Sequence, residues 1–212
     1  VFIFNEWEKT EMTMGFFKEL EKQRWDDHRY YHHSRINQLL HLFSACCFLA
    51  TYSVVFHSPV AAALIGWLLA MVSRQIGHFF FEPKGYDQAN QVSHAHKEAI
   101  KVGYNLFRKA ILLSLWAISP LILYLDPTLF GVLELSTTAH GFIYNLSLLW
   151  IFIGLSAVLF RTAQLFFESG IQTGLVWFTK ILTDPLHDIR LYYKSPWHVL
   201  RGELYDPIIS RT

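Results

Sequence analysis

The sequence predicts an all-α, polytopic membrane bundle of about four transmembrane helices, with both termini cytoplasmic and a C-terminal interfacial helix. Three observations predict it: the composition, a set of long apolar stretches, and the placement of lysine and arginine. Of the 212 residues, 52% are hydrophobic and 17% aromatic, and the mean hydropathy is positive, which is more apolar than soluble domains of this length.

A helix that crosses a bilayer needs about 20 mostly apolar residues. The first such stretch runs from about Leu39 to Phe56, and after the His57-Ser58-Pro59 turn a second runs from Val60 to about Phe81, so the pair reads as a helical hairpin. A third, about Phe107 to Leu125, contains Pro120, which neighbouring helices in a membrane bundle accommodate. The fourth, Phe142 to Phe160, is the clearest span. From Ala163 to Thr183 apolar residues mix with Glu168, Gln172 and Lys180, the pattern of an amphipathic helix lying at the interface.

Charge placement gives the orientation, because cytoplasmic segments carry the lysines and arginines. Lys9, Lys18, Lys22, Arg24, Arg29 and Arg35 precede the first span, and Lys84, Lys97, Lys101, Arg108 and Lys109 fall between the second and third. Arg161, Lys180, Arg190, Lys194, Arg201 and Arg211 follow the fourth, whereas the turn at 57–59 and the loop at 126–141 have none. The chain thus divides into a cytoplasmic segment (1–38), a four-helix membrane domain (39–160) with a cytoplasmic histidine-containing loop at about 83–106, and an amphipathic segment (161–212). Charges between Glu6 and Asp27 interrupt any signal-peptide core, so insertion is expected to rely on the first span.

Several function classes are disfavoured. With 18 basic residues matched by 17 acidic ones and no dense basic run, nucleic acid is not an expected partner. Cys46 and Cys47, adjacent within an apolar run, suggest neither a disulfide framework nor a zinc knuckle. No internal repeat or low-complexity tract marks a further domain.

The chemistry-bearing residues are histidines. There are 11, and His28, His32, His33 and His41, with His78 and the pair His94 and His96, all fall at or beyond the cytoplasmic membrane surface in this topology. His78 and Glu82 stand four residues apart, so on a helix they share a face and either converge on one ion or hydrogen-bond each other. Gly77 beside His78 permits close approach of a neighbouring helix. His33, Asn37 and His41 fall at four-residue steps. Eight residues of continuous helix would separate His33 and His41 by about 12 Å, too far to share one ion, so either the chain folds back after His33 or the two serve different roles. His94 and His96 diverge on a helix and meet only in an extended segment or turn, where one could ligate or orient a ligand imidazole. His28, His57, His187 and His198 read as interfacial anchors. A polar helix-packing network accounts for the His33, His41, His78 and Glu82 set as well as a metal does on spacing alone.

Two motifs go further. Tyr31-His32-His33 followed by Asn37 and His41, and Gln75, Gly77-His78 followed by Glu82, resemble the membrane family of 2-hydroxy fatty acid dioxygenases of fatty-acid alpha-oxidation. The resemblance covers roughly residues 25 to 90; His94-Ala95-His96 and the segment after 160 have no counterpart in it. It implies catalytic Fe(II) held by His33, His41, His78 and Glu82, with His32, Asn37 and Gln75 orienting them; His94 and His96, outside the resemblance, are further candidate ligands by their place in the loop near the site. It also implies a 2-hydroxy fatty acid or other fatty-acyl substrate, dioxygen as co-substrate, and an integral membrane protein of the bacterial inner membrane or endoplasmic reticulum with its active-site face cytoplasmic. Histidine and carboxylate ligands suit non-haem Fe(II) when positions stay open for substrate and oxygen. The alternatives are a di-iron lipid hydroxylase or desaturase, in which His94 and His96 join as ligands, and a non-enzymatic scaffold or transporter.

Overall fold

The structure, a computed structural model, describes residues 14–82 and 84–207. Lys9 and Arg211 of the charge pattern lie outside these residues, as do Glu6 and Glu11. Within them the chain is helical, with two isolated β-bridges and no longer strand.

Eight helices follow in order: α1 (Phe16–Tyr31), α2 (Arg35–Val54), α3 (Pro59–Phe81), α4 (His94–Ile100), α5 (Leu106–Leu125), α6 (Ala139–Glu168), α7 (Ile171–Tyr192) and α8 (Ser195–Leu200). Starts are set by local chemistry. Ser34, Ser58, Asn105 and Thr138 each accept a hydrogen bond from a backbone N–H of the first turn, satisfying a donor that the helix leaves free. Pro59 stands at the first position of α3, where its missing N–H costs nothing.

Three helices, α3, α5 and α6, are long and apolar enough to cross a membrane, with 23, 20 and 30 residues. The predicted first span corresponds to α2, which has 20 residues but opens on Arg35, Asn37 and Gln38; this polar first turn shortens its apolar run, and it is not among the three. The hairpin of α2 and α3 is present, turning at His57 and Ser58. Ser44 Oγ donates to the Ala70 carbonyl at 2.8 Å, tying the pair together. Helix α3 contains two wide, π-type turns, Ile65–Met71 and Gly77–Phe81, and the second carries His78; such turns recur at functional sites.

A tryptophan cluster joins α3, α5 and α6. Trp67 and Trp116 stack at 5.5 Å, and the Trp67 indole N–H donates to the Trp150 carbonyl at 2.8 Å. Pro120 removes the N–H that would have bonded the Trp116 carbonyl. Ser119 Oγ donates to that carbonyl at 2.6 Å and itself accepts from Trp150 Nε1 at 2.9 Å, so the proline is accommodated without an orphaned acceptor.

The C-terminal part requires a correction. Residues 163–168 complete α6, and the amphipathic helix starts only at Ile171, because Gly170 at φ 96° breaks the chain. Glycine enters that left-handed region without steric cost. The polar stripe of α7 also faces inward: Lys180, Asp184 and Asp188 are buried, while Ile171, Leu182 and Leu186 are exposed. In water the opposite arrangement is favoured. An outward apolar face with a buried charged one suits an apolar surrounding.

Candidate metal centre

Three imidazoles converge where α1, α2 and α3 meet. One ring nitrogen from each of His32, His41 and His78 lies within 4.8 Å of the other two. Nε2 of His32 and Nε2 of His41 face each other at 3.2 Å, and the ring centroids are 4.1 Å apart for His32 and His41, 4.9 Å for His41 and His78, and 5.5 Å for His32 and His78. All three are buried, His41 completely.

The geometric difficulty of His33 and His41 on one helix is resolved by a break. Helix α1 ends at Tyr31, residues His32 to Ser34 turn, and α2 begins at Arg35. The chain folds back, and the ring it returns to His41 is that of His32, not His33. Three hydrogen bonds fix this turn. Asn37 Nδ2 donates to the Tyr31 carbonyl and Gln38 Nε2 to the His32 carbonyl, each at 2.8 Å, and Ser34 Oγ accepts from the Asn37 N–H. Residues from the far end of the chain close it: Arg35 N donates to Leu204 O at 2.9 Å, Asp206 N to His33 O at 2.8 Å, and Gln38 also reaches Asp206 Oδ2 at 2.8 Å. Asn37 thus helps hold the turn that carries His32. His33 points elsewhere, with Nε2 3.5 Å from Asp87 Oδ2.

Glu82 stands next to the cluster. It lies just past α3 in extended backbone and its Oε2 is 2.7 Å from His78 Nδ1, so the pair takes the hydrogen-bonded alternative rather than placing both groups on one ion. With Nδ1–H donating to the carboxylate, Nε2 of His78 keeps its lone pair. Burial raises the Glu82 pKa, with Lys101 and then Lys109 acting against it; Lys101 Nζ is 3.5 Å from Oε1. Behind His41 stands a second carboxylate, Asp188, with Oδ2 3.6 Å from His41 Nδ1 and 3.0 Å from Arg74 Nη1. Carboxylates behind imidazoles are the usual means of fixing the tautomer and orientation of metal-binding histidines.

His94 and His96 stand in the first turn of α4, and His96 is exposed. On this helix they diverge, and neither belongs to the cluster. Gln75 Nε2 contacts Met71 Sδ at 3.2 Å, placing Gln75 on a cavity wall rather than on a histidine.

Sequence reasoning passed over Gln38, Asp188 and Asp206. The four-residue spacing of Lys180, Asp184 and Asp188 was a visible signal, but an amphipathic pattern does not say which face is buried. These residues form one network: Lys180 pairs with Asp184 at 2.6 Å and with Asp27, and Arg24 Nε lies 3.5 Å from Asp184. Burial alone would raise the Asp27 pKa, but Lys180 brings it down to about 2. Burial, followed by the facing His41, holds His32 well below the usual imidazole pKa. The ring is therefore neutral, the state in which imidazole binds metal.

A cavity of about 450 Å³ opens beside the cluster. Its polar end is lined by His32, His78, Arg74, Lys101 and Lys109, and its walls by Phe48, Met71, Leu112, Ile151, Val158 and Trp177, reaching Val55 and Ala62 at the other end of the hairpin. From Ala62 to His78 along α3 is about 24 Å at 1.5 Å per residue. Comparison of the chain with family models, curated proteins and solved structures returns no match.

At 3.2 Å the two Nε2 atoms either share a proton in an N–H···N hydrogen bond or, in the other tautomer, direct both lone pairs at one cation. The three imidazoles suit iron, zinc, copper or nickel, and the cluster meets the requirements of donor type, deprotonation and supporting carboxylates.

Proposed function

We propose that this protein is an iron-dependent membrane lipid oxygenase that decarboxylates 2-hydroxy fatty acids with dioxygen. One observation carries the reading: three buried histidines converge, and two of them, His32 and His78, line the polar end of a long apolar cavity. The choice of iron and of 2-hydroxy acids follows the two motifs, at Tyr31 to His41 and Gln75 to Glu82, that resemble the dioxygenase family. The overall reaction is R–CHOH–COOH + O2 → R–COOH + CO2 + H2O.

Fe(II) held by His32, His41 and His78 would supply the redox chemistry that couples oxygen reduction to cleavage of the C1–C2 bond. The chain's own groups do the rest. Glu82 and Asp188 orient His78 and His41, the apolar walls take the acyl chain and exclude water, and the lysines at the polar end attract the carboxylate. His94 and His96 lie outside the cluster, which favours one ion over two.

The proposed topology has α2 as a fourth span, paired with α3 and shielded by α7, with the histidine layer at the cytoplasmic face of a bacterial inner membrane or endoplasmic reticulum. The exposed apolar faces of α5, with Phe107, Ile111 and Leu115, and of α7 support a lipid surrounding.

The test is anaerobic Fe(II) loading of the detergent-purified protein, followed by addition of a 2-hydroxy fatty acid and oxygen. One iron per chain and matched loss of oxygen and release of carbon dioxide are expected. Absence of bound iron, or of oxygen-dependent substrate loss across chain lengths, would overturn the proposal.

A further inference from the structure

The cavity beside the histidines reaches the surface of the molecule at a rim built by three helices. Tyr52 of α2, Leu155 of α6 and Leu182 of α7 all line the cavity, yet they are 41, 56 and 46% exposed. Side chains with one face on a cavity and the other outside mark the edge of an opening. The packing explains the gap. Helix α7 packs against both α2 and α6, but among the described residues α2 and α6 do not pack along one another, so the space between them stays open beyond α7. Ala62, Ala63 and Gly66 of α3, all buried, line the cavity behind the rim and contribute little bulk to fill it.

What lies outside the rim follows from the residues one turn further along each helix, which share its face. These are Phe56 after Tyr52, Leu159 after Leu155 and Leu186 after Leu182, and all three are exposed. An opening framed by outward phenylalanine and leucine on every side faces acyl chains rather than water. The cavity has a second edge at Ile100 and Lys101, where Gln23 and Asp26 of α1 also line it, and that edge is polar. The way from the rim to the histidines is not wholly apolar. Arg74 and Asp184, 4.0 Å apart, line the cavity four residues before His78 and Asp188 on their helices, so a polar head group meets partners along it.

We infer that this opening is a lateral portal: the lipid substrate enters from the bilayer between α2, α6 and α7, past Tyr52, Leu155 and Leu182, without passing through the aqueous phase. The inference rests on the lipid-oxygenase reading and adds to it the source of the substrate and the surface that admits it. An acyl chain that moves sideways from bilayer to cavity stays among apolar atoms throughout. The cost of transferring it through water, about 0.8 kcal/mol per methylene, is never incurred.

The experiment measures exchange rates, because a portal alters how fast a ligand comes and goes without altering the bound state. The full chain in lipid nanodiscs is titrated anaerobically with cis-parinaric acid, a fluorescent fatty acid excited by energy transfer from Trp67, Trp150 and Trp177 of the cavity wall. Its release is timed by stopped flow after excess oleic acid is added. Leu155→Trp combined with Leu182→Trp, which narrows the rim, should slow association and release about tenfold each, with affinity and iron content near those of the wild type. Leu155→Ala should quicken both, and Ile100→Trp, at the polar edge, should match the wild type. Altered stability alone would not move the rates in opposite directions for the two substitutions at position 155. Rim variants with wild-type rates, or slowing by Ile100→Trp, overturn the portal and leave the lipid reading standing. A wild type with no saturable binding overturns both. If the double variant does not fold, Leu155→Trp alone gives the same comparison.

Discussion

Gly77 on α3 and Asn37 on α2 are in direct contact: a Cβ at position 77 would overlap Asn37 Oδ1, lie 3.2 Å from its Cγ and reach 3.5 Å from the His41 ring. The two motifs that carry the histidines are packed together through this pair. Gly77 is needed here for space, its backbone being ordinary right-handed helix.

Gly77→Ala therefore forces Asn37 or α3 to move. A destabilisation of about 1 to 3 kcal/mol is expected, the usual range for overpacking, with loss of bound iron because His78 follows Gly77. Thermal unfolding and metal analysis check both, and Asn37→Ala in the same chain should recover part of the stability. Full stability and iron content in Gly77→Ala would refute the contact.

His32 and His33 are neighbours with different fates. Replacing His32, His41 or His78 with alanine should lower bound iron about tenfold or more, in line with the loss of a ligand or its support. His33→Ala should retain it. Metal content after gel filtration distinguishes them, and the reverse pattern would place the ring of His33 in the centre.

Val55 lines the end of the cavity remote from His78. Val55→Trp should shorten the usable cavity and shift preference to shorter acyl chains, with iron content unchanged. Excluding two methylenes at about 0.8 kcal/mol each weakens the longest substrates about tenfold. The chain-length profile of substrate consumption is the measurement, and an unaltered profile would show that the chain takes another path.

The Asp27 to Lys180 pair predicts an acid dependence. The Asp27 carboxyl titrates at about 2 in the folded protein against 3.8 for an unperturbed group, so on acidification the unfolded state takes up its proton first. The pair's stabilisation is complete above about pH 4 and is lost as the pH falls towards about 2. Wild type should thus exceed Asp27→Asn in thermal midpoint above about pH 4, and the gap should close below it. A gap independent of pH would remove the charge as its cause.

The α2 and α3 hairpin and the apolar runs of α5 and α6 were legible in the sequence because length and hydropathy alone define them. His41, His78 and Glu82 were legible as a group because they sit on consecutive helices joined by a short turn. The choice of His32 over His33 was not. It depends on where α1 stops, and the bonds that set the turn come from Leu204 and Asp206, which no local pattern connects with Ser34. The charged stripe of α7 was visible, but its direction depends on what surrounds the helix.

The contact between the His32 to Ser34 turn and residues 204–206 also sets an order of events during synthesis. All three imidazoles have been made once residue 78 is added, yet the strand-like clasp that aims His32 does not exist until Leu204 and Asp206 have left the ribosome and folded back. On the proposed function, metal loading would accordingly be a late step in biogenesis, and a chain stalled or clipped before residue 204 would carry all three imidazoles with one of them unaimed.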